Sequence, residues 1–454
     1  MKIFSLINII VYSLLYVTND IGNYGGWLIP VTILLYVVEN MVYLYKYRRD
    51  QLLCFEFFFS IAFFLCSFLT PFVFPLLDSY QGRAFVDTEY NLLKVYILCF
   101  IGYNSYMFGL CLSKQQGNHT LWFNVSFNRR SCLYSNLLCF FFIVCFYIMG
   151  GGRLISLYSD LASDLNQRYG NWGEYMIYAM YAYTISIVTN FSSVSQYASS
   201  LRELIKQLPF LFYVNSILLV IPLLLSGLRS SAAQLLIPML LMYGISIKKM
   251  RTCKVLAIIL VGYATMIMIG MTRAGDGVAK QDSLFLTLVY DFVSANGANS
   301  FLVNYADIQG FTGGSNMLLQ LASIVPFMQS FILLFIPRSS LALSSSTMFT
   351  NSFMDSTQGG MGTALIGDIY YTFGVIGVII LMFLLGYFLK KLYKSHNSPY
   401  ALVILMSLSG NAIFAARVEY CFILRSLSYT AIFLFIILSI TKDKNIYENR
   451  LRNR

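Results

Sequence analysis

Five arginines at the ends of apolar stretches, Arg153, Arg229, Arg273, Arg417 and Arg425, offer the most specific chemistry in this chain. Arg229 stands in Ser226-Gly227-Leu228-Arg229-Ser230-Ser231, where one apolar stretch stops and the next begins almost at once. Arg417 and Arg425 bracket a second tight turn, Arg153 follows Gly150-Gly151-Gly152, and Arg273 comes directly after another apolar stretch. A guanidinium stays charged at any relevant pH, and its planar fork can hold phosphate oxygens two at a time. Taken singly, each arginine also reads as an anchor that snorkels to lipid headgroups. As a set they point to an anionic ligand at a membrane interface, and a lipid-linked pyrophosphate fits, with its headgroup at that depth and its tail in the bilayer.

Two acids lie close to this set. Asp368, in Gly367-Asp368-Ile369-Tyr370, falls one turn inside an apolar stretch, where a carboxylate is costly unless paired or solvated. It reads either as a functional group or as a structural partner for an arginine. Glu419 follows Arg417 by two residues. Either acid is placed to accept a proton from a hydroxyl, and either could orient an arginine instead. From Val278 to Asn304 the chain mixes apolar residues with Asp282, Asp291, Asn296 and Asn299, and continues through Tyr305, Asp307 and Gln309 to a turn from Gly310 to Asn316. That texture suits a surface that bonds sugar hydroxyls, with Asp291, Tyr305 and Tyr370 as the expected contacts; it suits an amphipathic loop helix equally.

The elements that must position these residues follow from composition. Of 454 residues 58% are hydrophobic and only 11% charged, outside the usage of soluble domains. Helices of about 17–25 apolar residues cross the hydrocarbon core with their backbone bonds satisfied internally. The sequence predicts an all-α integral membrane protein with about twelve such spans, at 3–18, 26–45, 52–76, 92–112, 134–149, 176–192, 208–227, 231–247, 255–271, 365–389, 399–415 and 422–440. The first resembles a signal peptide but lacks a small-residue cleavage site, and reads as a retained helix. The chain thus divides into helices at 1–271, one large external loop at 272–364, and final helices with a basic tail at 365–454. Within the loop, 318–336 is apolar, but Pro326 and Pro337-Arg338 argue for a re-entrant or interfacial segment.

Orientation comes from Lys and Arg, which gather on the cytoplasmic side of short loops. Most of the 31 do so in one register, among them Lys46, Arg48 and Arg49, Lys248, Lys249, Arg251 and Lys254, Lys390, Lys391 and Lys394, and the tail from Lys442. Both termini are then cytoplasmic, and the five arginines lie on the opposite side. The net charge of +11 is topology and attraction to anionic lipid, and implies no nucleic acid.

Nine cysteines, none in the external loop, imply no disulfide framework. His119 and His396 fall in cytoplasmic loops, so no histidine serves the outer face as metal ligand or base. Phosphate-loop, paired CxxC, HExxH and GxSxG motifs are missing, and neither a metal nor a cofactor is expected.

Gly227-x-Arg229 at an outer hairpin, the long external loop, Gly367-Asp368-x-Tyr370-x-x-Phe373-Gly374-x-x-Gly377 opening the next span, and Arg417 with Arg425 in the last hairpin together resemble the Wzy-type O-antigen and oligosaccharide repeat-unit polymerases. The similarity in hydropathy covers nearly the whole chain, while the local motifs are confined to 226–231, 359–377 and 414–426. One departure is Val418, which separates Arg417 from Glu419 where family members often carry an acid. The resemblance implies a glycosyltransferase of the bacterial inner membrane with a GT-C-like helical bundle and a large periplasmic loop. It would move a growing glycan from one undecaprenyl-pyrophosphate carrier to the nonreducing end of a new lipid-linked unit, alongside a flippase and a chain-length regulator of the same pathway.

The chemistry can be stated without the family. A sugar hydroxyl attacks the anomeric carbon while the departing pyrophosphate gains negative charge, which Arg229, Arg273, Arg417, Arg425 and Arg153 would neutralise in the transition state. Rival readings are an O-antigen ligase, which generally relies on an external histidine that is missing here, a lipid-linked oligosaccharide flippase, which needs charges buried in mid-span, and a non-catalytic scaffold.

Overall fold

The structure is a computed structural model that describes residues 1–18, 25–48, 52–73, 89–112, 123, 125–150, 172–195, 197–198, 200–225, 229–248, 250, 254–255, 257–258, 261–262, 284–325, 328–337, 341–353, 362–395 and 397–441. Arg153 and Arg273 lie outside the described residues, as do the side chains of Arg229 and Asp291 and most of the span expected at 255–271.

The described residues form helices and no strands. The first group is α1 (Lys2–Thr18), α2 (Gly25–Tyr47), α3 (Phe55–Ser67), the single turn α4 (Thr70–Val73) and α5 (Glu89–Cys111). Next come α6 (Arg129–Gly150), α7 (Trp172–Val194), α8 (Leu201–Gln207), α9 (Phe210–Leu225) and α10 (Arg229–Ser246). The segment expected to be one large loop contains α11 (Leu284–Gln309), α12 (Leu318–Ala322), α13 (Met328–Phe335) and α14 (Ser345–Phe353). The chain then continues through α15 (Leu365–Lys394), α16 (Pro399–Gly410) and α17 (Tyr420–Thr441).

Among the described residues, α2, α5, α6, α15 and α17 are each long and apolar enough to cross a bilayer, and the pair α8 and α9, bent by 103°, gives a sixth if taken together. Shorter apolar helices occupy four more of the expected stretches: α1, α3, Ser231–Ser246 within α10, and α16. This is a multi-pass membrane protein. Helix α7 carries Thr184, Ser186, Thr189 and Asn190 along its length. Those residues are buried, and Ser186, Thr189 and Asn190 face α6, where Ser135 and Thr189 share a bond of 2.8 Å and Ser186 donates to Asn136 at 2.7 Å. Such polar bonds between helices replace the hydrophobic driving force that lipid removes.

The centre of the bundle is the parallel pair α5 and α15. Their backbones touch because glycine stands at the crossing: a Cβ on Gly109 would lie 2.3 Å from the Phe383 carbonyl oxygen, and one on Gly386 would lie 2.0 Å from that of Tyr106. Helix α1 runs antiparallel to α5, with Asn8 donating to Asn104 at 3.0 Å and Tyr12 against Phe100.

Of the two readings the sequence leaves open for Val278 to Asn304, α11 has the helical form. It lies across one end of the bundle, from Phe292 beside Arg417, through Asn296, which donates to Thr70 at 2.8 Å, and Asn299, which accepts from the Gly367 N–H at 2.7 Å, to Asp307. There Asp307 accepts from Tyr370 at 2.6 Å and pairs with Lys94, while Tyr370 also meets the Tyr16 hydroxyl at 2.7 Å. These contacts bring the C-termini of α1 and α3 and the N-termini of α5, α15 and α17 to a common end.

At the opposite end, two basic residues that the charge pattern assigns to the cytoplasm are not solvated. Arg48 is buried, ion-paired to Glu56 at 3.0 Å and stacked 4.1 Å from the Tyr393 ring centroid, and buried Lys390 donates to the Leu110 carbonyl at 3.1 Å.

Candidate functional site

The site is built on a broken helix. At Gly374 α15 leaves helical geometry, with φ 66° and ψ −161°, a conformation that glycine adopts without steric cost. At the break the Tyr371 and Thr372 carbonyls accept from the turn after α11. The Thr312 N–H bonds Tyr371 at 3.1 Å and the Gly313 N–H bonds Thr372 at 3.0 Å. Asn316 donates to the Thr372 hydroxyl at 2.9 Å, and the Phe311 ring fills the space where a Cβ on Gly374 would stand. The turn expected from Gly310 to Asn316 is therefore a strap that holds the chain leading to α12 and α13 against the bundle.

The two acids singled out from the sequence each close the N-terminus of a helix to which they do not belong. Asp368, fully buried on α15, accepts the Tyr420 N–H at 2.9 Å and so occupies the N-terminus of α17. Its other oxygen has no partner of good hydrogen-bond geometry, though the Ser345 hydroxyl faces the carboxyl and, accepting from Thr363 at 3.1 Å, keeps its own proton for it. Glu419 reaches back to the N-terminus of α14, accepting from the Ser346 N–H at 3.1 Å and the Ser346 hydroxyl at 2.7 Å. A carboxylate in that position satisfies donors the helix leaves open and meets the positive end of its dipole.

Beside these ends lies a cleft of about 260 Å³, lined by Leu319, Gln320 and Ser323 of α12 and its C-terminal end, by Gln329 of α13, by residues 341–344, and by Glu419 and Arg425. Of the two acids only Glu419 opens onto it. The Arg425 guanidinium lies 5.7 Å from the Tyr429 ring centroid, on the first turns of the helix that Asp368 caps. Arg417 is not among the lining residues; its guanidinium lies over Phe292, 5.9 Å from the ring centroid. Arg229 begins α10 at the same end of the bundle, where Gln234 donates to Asn411 at 3.1 Å.

The residues expected to meet sugars are placed differently. Tyr370 is 1% exposed and its hydroxyl is held between Asp307 and Tyr16, so it faces the inside of the bundle and presents no surface to a glycan. Tyr305 is half-buried against Phe301 and Tyr371. Sequence reasoning missed Gln320, Ser323 and Gln329 of the cleft wall, and the pairing of Lys94 with Asp307. A lysine and an aspartate in apolar surroundings were visible signals, but 213 residues separate them. Among the described residues no three His, Cys, Asp or Glu side chains gather in a set able to hold a metal ion.

The wall formed by α12 and α13 is two-sided. Gln320, Ser323 and Gln329 face the cleft, while Leu321, Phe331, Leu334 and Phe335 are exposed, the last two at 79% and 71%. At 1.5 Å per residue α13 is about 12 Å long, well short of a hydrocarbon core of roughly 30 Å.

No curated protein and no solved structure matches the chain. A family model described as O-antigen polysaccharide polymerase Wzy matches residues 1–446, which takes in the bundle, the helices laid across its end and the cleft between them. The chain belongs to the O-antigen polysaccharide polymerase Wzy family, whose members are polymerising glycosyltransferases.

Proposed function

We propose that this polymerase joins undecaprenyl-pyrophosphate-linked oligosaccharide units at the periplasmic face of the bacterial inner membrane, and that the cleft beside α12 holds the pyrophosphate of one of them. The observation that carries this reading is the composition of the cleft. It joins a guanidinium, Arg425, to a carboxylate, Glu419, behind a wall that is polar within and apolar without. A ligand with a charged headgroup and a long hydrocarbon tail is the kind of molecule such a wall admits, with α13 resting in the interface and the tail passing beside it.

The chemistry rests on those groups. A hydroxyl at the nonreducing end of the acceptor unit attacks the anomeric carbon of the donor glycan. The C–O bond to pyrophosphate breaks, its electron pair leaves with the pyrophosphate oxygen, and the hydroxyl proton passes to a base, for which Glu419 is the better placed acid. Charge grows on the leaving group as the bond lengthens, so Arg425 acts most strongly in the transition state, where a fixed cation in a site shielded from water has its greatest effect. Arg229 and Arg417 add positive charge at the same end of the bundle. The wider architecture we read as about twelve spans in a GT-C-like arrangement, supplied with substrate by a flippase and limited in product length by a regulator.

In membranes charged with lipid-linked single units, Arg425→Ala is expected to lower the rate of chain extension by about 100-fold or more, with the protein inserted at its normal level. Long products at the wild-type rate from that variant would refute the role given to Arg425, and accumulation of single units without any long product from the wild type would refute the polymerase reading itself.

A further inference from the structure

Gln320 lines the cleft with neither end of its amide satisfied. Its Oε1 and Nε2 are both buried, and neither has a hydrogen-bond partner. Buried amides in folded proteins are bonded in the great majority of cases, and an exception asks what else bonds them. Several of the polar groups that line the cleft with it are committed elsewhere. Asn316 is bonded to Thr312 and Thr372, the Ser323 hydroxyl donates to the Gln320 backbone carbonyl at 2.6 Å, Ser344 shares its hydroxyl with Ser346 and Thr347, and Glu419 holds Ser346. The short helix that carries Gln320 is fixed to the helix that carries Arg425, since Ser428 donates to the Ile324 carbonyl at 2.8 Å.

We infer that Gln320 binds two neighbouring hydroxyls on the sugar attached to the lipid-linked diphosphate. A primary amide sets one acceptor and one donor side by side, and a vicinal diol is its complement: one hydroxyl donates to Oε1 while the next accepts from Nε2. The three torsions of the side chain allow the amide to turn toward such a partner within the cleft it lines. The inference rests on the proposal that Arg425 holds the diphosphate. With the anion there, a cleft of 260 Å³ has room for about one sugar ring beside it, not an oligosaccharide. Gln320 would thus select the first sugar of the unit, while Arg425 binds any carrier.

The test uses the full chain in nanodiscs and two probes: undecaprenyl pyrophosphate without sugar, and the same lipid bearing the oligosaccharide unit, purified from cells that accumulate it. Gln320→Leu fills the same space without hydrogen bonds. It is expected to bind the glycosylated lipid about tenfold more weakly and the bare lipid as the wild type does, the second probe serving as the check on folding. Arg425→Ala is expected to weaken both. Equal affinities of Gln320→Leu and wild type for the glycosylated lipid would overturn the inference and leave the polymerase reading standing, as would an equal loss of both probes. If the wild type bound neither probe, the proposed function would fall, and this inference with it.

Discussion

Asp368 and Glu419 share a chemistry and a structural duty but differ in access. Both close the N-terminus of a helix formed elsewhere in the chain, yet Asp368 is sealed within the bundle while Glu419 borders the cleft. Substitution separates the two duties. Glu419→Gln keeps an oxygen for Ser346 and loses the base, so thermal unfolding should stay within a few degrees of wild type while chain extension falls by roughly 100-fold. Asp368→Asn also keeps an acceptor, for the Tyr420 N–H, and should leave both stability and rate near wild type. Asp368→Ala removes the cap and should cost about 1–2 kcal/mol, read as a lower midpoint in a detergent melt. A rate in Asp368→Asn as low as that of Glu419→Gln would return Asp368 to the chemistry. The sequence marked both acids by the expense of a carboxylate in apolar surroundings. It could not show what they bond, because Tyr420 lies 52 positions beyond Asp368 and Ser346 lies 73 before Glu419.

At the scale of elements, two glycines of the motif, Gly367 and Gly374, are explained by approach and geometry. Gly367 lets α11 come near enough for Asn299 to accept its N–H, and Gly374 breaks the helix so that the strap from Gly310 to Asn316 can dock. An alanine at 374 would need φ near 66° and would place its methyl 2.9 Å from the Phe311 ring. Gly374→Ala is therefore expected to cost roughly 1–3 kcal/mol and to reduce chain extension, since the strap leads into the cleft wall. Gly244→Ala, in a helix and with only a Leu53 methyl at 3.4 Å, should be near neutral in the same melt. Equal destabilisation by the two would mean that the break is not specially held. Most helices were legible as apolar runs of the right length. Within 272–364 the polar texture suits a sugar-binding surface and a loop helix equally; in the fold it is a helix, with Asn296, Asn299 and Asp307 of α11 bonded to the bundle.

For the whole molecule, the charge pattern and the packing agree on which helix ends belong together. The ends of α3, α5 and α15 that α11 bridges are among those that the Lys and Arg count assigns to the outer side. The ends assigned to the cytoplasm carry the buried Arg48 and Glu56 pair and Lys390. Reporter fusions after residues near 300 and 395 should accordingly read outside and inside. The reverse pair of signals would place the cleft on the wrong face for a periplasmic polymerase.

Composition and the spacing of apolar runs were enough to fix a multi-pass helical protein, because a helix in lipid must satisfy its own backbone and be long enough to cross, and both requirements are local. The arginines at helix ends and the expensive acids were likewise visible, since a charge in apolar surroundings stands out wherever it occurs. Which charges share a space is not local. That Arg425 and Glu419 share a cleft with Gln320 follows from the docking of the α12 segment on α17; that Arg417 lies over Phe292 and Tyr370 is locked inside the bundle follows from α11 lying over the ends of α5 and α15. Those placements are set by close glycine approaches and bonds between residues far apart in the chain, so only the folded molecule decides them.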